Sequence, residues 1–163
     1  MVTDALRAQV VAWLDDVPDP ELPPVSITDL GIVRDVSVDG DTVVVALTPT
    51  YAGCPATDAI AADVKRALHD RGIDRVRIER RLSPPWTTDW ITPRGRERLQ
   101  AEGIAPPGAA GLADGPVVVG TIVRCPRCAS SSTTEISHFG STPCKALYRC
   151  DACKEPFDYV KPH

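Results

Sequence analysis

Two Cys-x-x-Cys pairs, Cys125-Pro-Arg-Cys128 and Cys150-Asp-Ala-Cys153, stand 21 residues apart near one end of this chain. Each pair sets two sulfurs on one tight turn. Two such turns joined by a hairpin close a tetrahedral four-thiolate site. Residues 117–163 hold too few apolar positions for a self-sufficient core, so a bound ion has to supply much of the folding free energy. Between and after the pairs, Thr133–His138, Ala146–Arg149 and Pro156–Val160 read as three pairing strands.

The pattern is that of a β zinc ribbon, with Cys125, Cys128, Cys150 and Cys153 as ligands of a structural zinc ion. Redox iron is the alternative, since a rubredoxin-like site uses the same two pairs. Such knuckles usually carry glycine soon after the second cysteine, and here Ala129 and Lys154 stand there instead. A four-thiolate zinc site has a formal charge of −2. The local excess of basic residues, Arg124, Arg127, Arg149 and Lys154 among them, therefore compensates thiolate charge without any need for a nucleic-acid face.

Six cysteines in 163 residues, five of them within the last 39, would suggest disulfides in a secreted chain. No apolar run reaches the roughly 18–20 residues of a membrane helix. The N-terminus, MVTDALRAQV, lacks the basic and apolar regions of a secretory signal. The expected compartment is the cytoplasm, where clustered thiols bind metal more often than they pair. Residues 1–104 carry 12 Lys/Arg against 17 Asp/Glu, an acidic body that argues against nucleic-acid partners.

The expected fold class is α+β. Leu6, Val10, Trp13, Leu14 and Val17 form one helical stripe, with Thr3 as its cap and Pro18 and Pro20 as its stop. Prolines 18, 20, 23 and 24 make a stiff loop. It leads to a single turn capped by Ser26 and ended by Gly31. A strand over Ile32–Val38 turns at Asp39-Gly40 into the apolar run Thr42–Leu47, a central strand. A helix from Pro55 to Gly72 and a strand from Val76 to about Leu82 complete the order α-β-β-α-β. Pro84-Pro85-Trp86 reads as a rigid turn with an aromatic anchor, followed by a short helix after Pro93. The expected domains are residues 1–104, a Pro/Gly/Ala linker at 105–116 with no core-forming pattern, and the ribbon at 117–163.

Cys54 stands alone in the acidic part, between Gly53 and Pro55 at the start of a helix. A thiol there meets the positive end of the dipole and unpaired N–H groups, which favours the thiolate for metal capture or persulfide chemistry. His69 lies at the other end of the same helix, roughly 20 Å away, so a protease-like Cys–His pair is not expected. Asp19, Glu21 and Asp29 bring carboxylates into the proline loop. They either cap a solvated loop or fold against Cys54 into a polar, iron-binding pocket. Cys144 stands apart from the four ribbon cysteines and could replace a ligand, join a second site or pack as a small hydrophobe. His138 is a weaker competitor for the metal.

Two strings carry a resemblance. Asp19-Pro-Glu-Leu-Pro-Pro-Val-Ser-Ile-Thr-Asp-Leu-Gly-Ile-Val33, with Leu47-Thr-Pro-Thr-Tyr-Ala-Gly-Cys-Pro-Ala56, resembles the small α+β domain shared by cytosolic iron–sulfur targeting proteins and SUF-associated assembly factors. On that likeness Asp19, Glu21, Asp29, Thr50 and Cys54 form the metal- or cluster-handling site. The second string, Phe139-Gly-Ser-Thr-Pro-Cys-Lys-Ala-Leu-Tyr-Arg-Cys-Asp-Ala-Cys-Lys-Glu-Pro-Phe-Asp158, together with the first, is similar to the D-subunit family of bacterial ring-1,2-phenylacetyl-CoA epoxidase systems. The likeness spans nearly the whole chain and raises the standing of Cys144 as a cofactor-binding residue.

The family implies a non-catalytic accessory component of a multicomponent monooxygenase. Such a component assists maturation of an iron–sulfur cluster or iron centre and handles transient iron or a cluster beside its structural zinc. Its partners would be the oxygenase and reductase subunits, with a homodimer allowed and neither nucleic acid nor membrane expected. The sequence itself lacks a helical Glu-x-x-His pair for a di-iron centre, a Gly-x-Gly-x-x-Gly loop and ferredoxin cysteine spacing. A zinc-binding scaffold and a rubredoxin-like electron carrier are the competing readings.

Overall fold

The apolar stripe from Leu6 to Val17 becomes the buried face of α1 (Val2–Leu14), with Val10 and Leu14 fully covered and Val17 buried just beyond its end. The structure, a computed structural model, describes residues 2–108 and 122–163. The side chains of Val2 and Thr3, and with them the expected Thr3 cap, fall outside that description, as do residues 109–116 of the expected linker.

The chain divides into two compact units. One runs to Trp86 and includes Trp90–Thr92; the other takes Thr87–Asp89 and everything from Pro93 onward. In the first, β1 (Val33–Asp39) and β2 (Thr42–Leu47) form an antiparallel hairpin. β2 pairs in parallel with β3 (Val76–Arg80) after the crossover helix α2 (Ala56–His69). The sheet order is β1-β2-β3, so β2 is central and Val43–Leu47 are all buried. That position explains an unbroken apolar run where an edge strand would alternate. Ile60, Val64 and Leu68 form the buried face of α2. The element order is the α-β-β-α-β expected.

The loop between α1 and β1 is held from within. A bridge joins Pro18 to Ser26, the Asp19 N–H donates to the Val25 carbonyl (2.9 Å), and Leu22, Val25, Ile27 and Leu30 are buried. Ser26 Oγ accepts the Asp29 N–H (3.1 Å), the cap read from sequence. A second segment clasps this turn. Trp86 Nε1 donates to the Leu30 carbonyl (2.8 Å), and the Thr92 N–H donates to the Asp29 carbonyl (2.8 Å). The Arg34 guanidinium stacks 3.5 Å from the Trp90 ring centroid.

In the second unit, β5 (Thr133–Ser137), β6 (Lys145–Cys150) and β7 (Pro156–Val160) form an antiparallel meander, as the spacing predicts. A fourth strand, β4 (Ile104–Ala105), pairs in parallel with β7. Composition alone assigns Ala105 to a structureless linker. The pairing instead buries Ala105 and Pro107. It also explains why α3 (Pro93–Ala101), attached by sequence to the first domain, lies in this unit: β4 follows it almost directly. The small core consists of Ala105, Val123, Ala146, Phe157 and Tyr159 with Cys125 and Cys150.

Candidate functional site

The four ribbon cysteines meet. Their Sγ atoms all lie within 4.8 Å of one another, with Cys125–Cys153 at 3.8 Å and Cys128–Cys150 at 3.5 Å. A tetrahedral ion with Zn–S bonds of about 2.3 Å requires sulfurs about 3.8 Å apart, so the donor set fits a zinc-sized ion. The knuckles are built alike. Cys125 donates its N–H to Ser130 and its carbonyl accepts from Ala129; Cys150 donates to Glu155 and accepts from Lys154, all at 2.9–3.0 Å. The first cysteine of each pair is buried and the second exposed. The Cys153 N–H also donates to Cys150 Sγ (3.4 Å), and such backbone donation draws the Cys150 thiol down to about 6.

Ala129 (φ 60°) and Lys154 (φ 68°) adopt the left-handed conformation that glycine would take. Their side chains therefore do not distort the knuckles, and the missing glycines do not by themselves separate zinc from iron. They do carry strain, on the order of 1 kcal/mol each. Ala129→Gly relieves it against an entropic cost of about 0.4–1 kcal/mol and is expected to stabilise the metal-loaded ribbon by a few tenths of a kcal/mol, up to about 0.6. Thermal unfolding followed by circular dichroism checks this; an unchanged or lower midpoint would contradict it. Lys154→Gly is the less clean variant, because it also removes a cation near the thiolates.

Cys144 does not join this cluster. It precedes β6, whose far end carries Cys150, which places the two roughly 20 Å apart along an extended strand. Cys144 is buried, its Sγ lies 3.1 Å from Thr142 Oγ1, and its carbonyl accepts the Lys161 N–H. His138 Nδ1 faces Glu135 at 3.6 Å and is not part of the cluster either.

In the first unit Asp19, Thr50 and Cys54 line one recess together with Ile32, Leu47 and Ile60. Asp19 and Cys54 are both buried. Asp19 Oδ1 accepts the backbone N–H groups of Glu21 and Leu22, each at 2.8 Å. Glu21 and Asp29, expected at the same site, are not among the lining residues. Asp29 is 1% exposed, and its Oδ1 accepts the Thr92 hydroxyl (2.7 Å), which makes it part of the clasp.

The helix start also differs in detail from expectation. α2 begins at Ala56 with Pro55 as its N-cap, so Cys54 stands one residue outside. The Cys54 carbonyl, rather than its sulfur, takes the first-turn donors: the Thr57 N–H at 3.1 Å and the Thr57 hydroxyl at 2.8 Å. Sequence motifs do not single out Thr57. A threonine three residues past a helix-start cysteine is the signal that points to it.

Two family models match this chain. Residues 7–79 fit the iron-sulfur cluster assembly protein model and residues 118–161 fit the PaaD zinc beta ribbon domain. A protein of Escherichia coli (strain K12), assigned as the D component of 1,2-phenylacetyl-CoA epoxidase, is 52% identical over 154 residues, covering 94% of this chain and 91% of the relative. The Bacillus subtilis (strain 168) Fe-S protein maturation auxiliary factor YitW is 38% identical over 88 residues, covering 53% of this chain and 85% of its own. Among solved structures, a domain of unknown function from Bacillus anthracis superposes with a TM-score of 0.57 at 31% identity, covering 61% of this chain and 95% of that one. No helix among the described residues is long and apolar enough to cross a membrane.

Proposed function

The chain belongs to the D-subunit family of 1,2-phenylacetyl-CoA epoxidase, and from that premise we propose that it is an accessory protein that helps mature an iron–sulfur or iron centre of such a multicomponent oxygenase. The observation that carries this reading is the recess of Cys54, Asp19 and Thr50. It falls within residues 7–79, the part matched by the assembly-protein model. In that reading Cys54 is the residue that handles the material of the centre. Asp19 shapes the loop beside it through the two N–H groups its carboxylate holds. Thr57 fixes the Cys54 backbone. Zinc in the four-cysteine site folds the ribbon, whose role is to dock the client, an oxygenase or a reductase.

Replacing Cys54 by serine in cells that express the complete epoxidase system tests the proposal. The expected result is a severalfold drop in iron and acid-labile sulfide in the purified client, with the variant itself folded and its metal content unchanged. Full client occupancy with undiminished ring epoxidation would reject the proposal in favour of a scaffold whose only metal is the ribbon's.

A further inference from the structure

We propose that β3 is a self-pairing edge, through which two copies of this chain join their 3-stranded sheets into one continuous sheet about a two-fold axis. In the order β1-β2-β3, β3 has a neighbouring strand on one side only. The Arg75 carbonyl accepts the Val43 N–H (2.9 Å), and the Arg81 N–H donates to the Leu47 carbonyl (2.8 Å). Backbone groups alternate along a strand, so Arg75, Arg77, Glu79 and Arg81 turn theirs toward β2. Those of Val76, Ile78 and Arg80 point outward, and no strand among the described residues pairs with them. The β1 edge is different. Asp35 shares the face of Ala46, whereas α2 packs on the face of Leu47. Arg7 of α1 nevertheless reaches Asp35 at 2.9 Å, so its side chain lies along that edge.

A two-fold contact requires the strand to be its own complement. Antiparallel pairing centred on Ile78 sets Ile78 against Ile78, Val76 against Arg80 and Arg77 against Glu79 of the other copy. The outward residues then fall opposite one another, and each such pair exchanges two N–H···O=C bonds. Arg77 and Glu79 fall in the closer, non-hydrogen-bonded pairs, where opposite charges attract across the strands. They share the sheet face of Val44 and Ala46, and Arg77 already stands 3.5 Å from its own Glu79. Pairing therefore builds a cluster in which each guanidinium meets two carboxylates. Moving the centre by one residue sets Arg77 against Arg77 or Glu79 against Glu79, and like charges directly opposite destabilise. Just past the strand ends, Arg75 meets Arg81 of the other copy. Each holds a carboxylate of its own chain: Asp41 for Arg75 at 2.7 Å, Asp35 and Glu79 for Arg81 at 3.7 Å. On the other face, the ion pair of Arg80 with Asp58 places a flank of α2 above the edge. Ala61 and Ala62 share that flank by helical spacing, so a second α2 meets only small side chains there.

The test follows the full-length, metal-loaded protein by sedimentation velocity over a roughly micromolar-to-millimolar range, where small interfaces dissociate. The mass is expected to rise from one chain to two with concentration. Arg77→Glu turns two attractive cross-strand pairs into repulsive ones and should weaken the dimer at least about tenfold. Combining Arg77→Glu with Glu79→Arg restores both pairs and should recover the affinity. Ile78→Pro removes an outward N–H and no bond to β2, so it should keep the circular dichroism and leave the protein monomeric. Amide exchange at Val76, Ile78 and Arg80 should slow as concentration rises. A monomer across the whole range would overturn the proposal, as would a dimer indifferent to Arg77→Glu or one that the double exchange fails to restore. Slowing of these amides only on addition of a purified oxygenase or reductase component would give the edge to a foreign strand and overturn self-pairing. None of these readouts depends on Cys54, whose role is decided by client occupancy.

Discussion

Cys125→Ser is expected to leave residues 122–163 without a cooperative fold, while the unit that ends at Trp86 keeps its own. The reason lies in what the ribbon buries. Its core is Ala105, Val123, Ala146, Phe157 and Tyr159 with Cys125 and Cys150, so two of its members are themselves proposed metal ligands. A buried aromatic or aliphatic side chain contributes about 1.5–3 kcal/mol, whereas ordering the backbone costs about 1–2 kcal/mol for every residue. So few side chains cannot meet that cost. A structural zinc site contributes on the order of 10 kcal/mol, enough to decide whether this segment folds. Removing one ligand opens the tetrahedron and leaves a hydroxyl in the buried position of Cys125, which is 1% exposed. Amide spectra should show collapsed dispersion for the ribbon and preserved dispersion for the first unit, with the metal lost from the protein. Cys144→Ser is the control, and it should keep one metal ion per chain because Cys144 lies at the opposite end of β6. A ribbon that stays cooperatively folded without metal would refute this account.

What the sequence could and could not reveal follows from how local each determinant is. The ribbon was legible because two Cys-x-x-Cys turns encode their own geometry, and the meander between them obeys strand spacing. β2 was legible because a central strand buries both of its faces, which leaves an unbroken apolar run. β4 was not legible. Two residues beside Pro106 and Pro107 carry no periodicity, and their pairing with β7 is long-range. The partner of Asp29 was hidden for a similar reason: the resemblance groups Asp29 with the Asp19 loop, whereas the hydroxyl it accepts belongs to Thr92, 63 residues away. The recess of Cys54 was half legible. Asp19, Thr50 and Cys54 came from motif likeness, whereas Ile32, Leu47 and Ile60 could be read only as core, and it takes the fold to show that they also wall a cavity.

Gly31→Ala should destabilise the first unit by roughly 2–5 kcal/mol, from left-handed strain of about 1–2 kcal/mol together with overpacking of about 1–3 kcal/mol. Gly31 has φ of 72°, and an added Cβ would stand 2.6 Å from Trp90 Cβ and 2.7 Å from the Trp90 carbonyl oxygen. The second contact is with backbone, so no change of the Trp90 rotamer can relieve it. Nor can Trp90 move away freely. Its neighbour Thr92 is tied to Asp29 by two hydrogen bonds, and Trp86 is tied to the carbonyl of Leu30. Gly72 provides the internal comparison. It has φ of 85° but nothing within 4 Å of an added Cβ, so Gly72→Ala carries the strain without the collision. Chemical denaturation of the two variants should show a larger loss of stability for Gly31→Ala than for Gly72→Ala, with the difference measuring the clasp. Equal losses would mean that the Trp86–Thr92 segment lifts away from the turn at little cost. The Asp29 carboxylate would then be released from Thr92, free for the place beside Asp19 that the family resemblance implies.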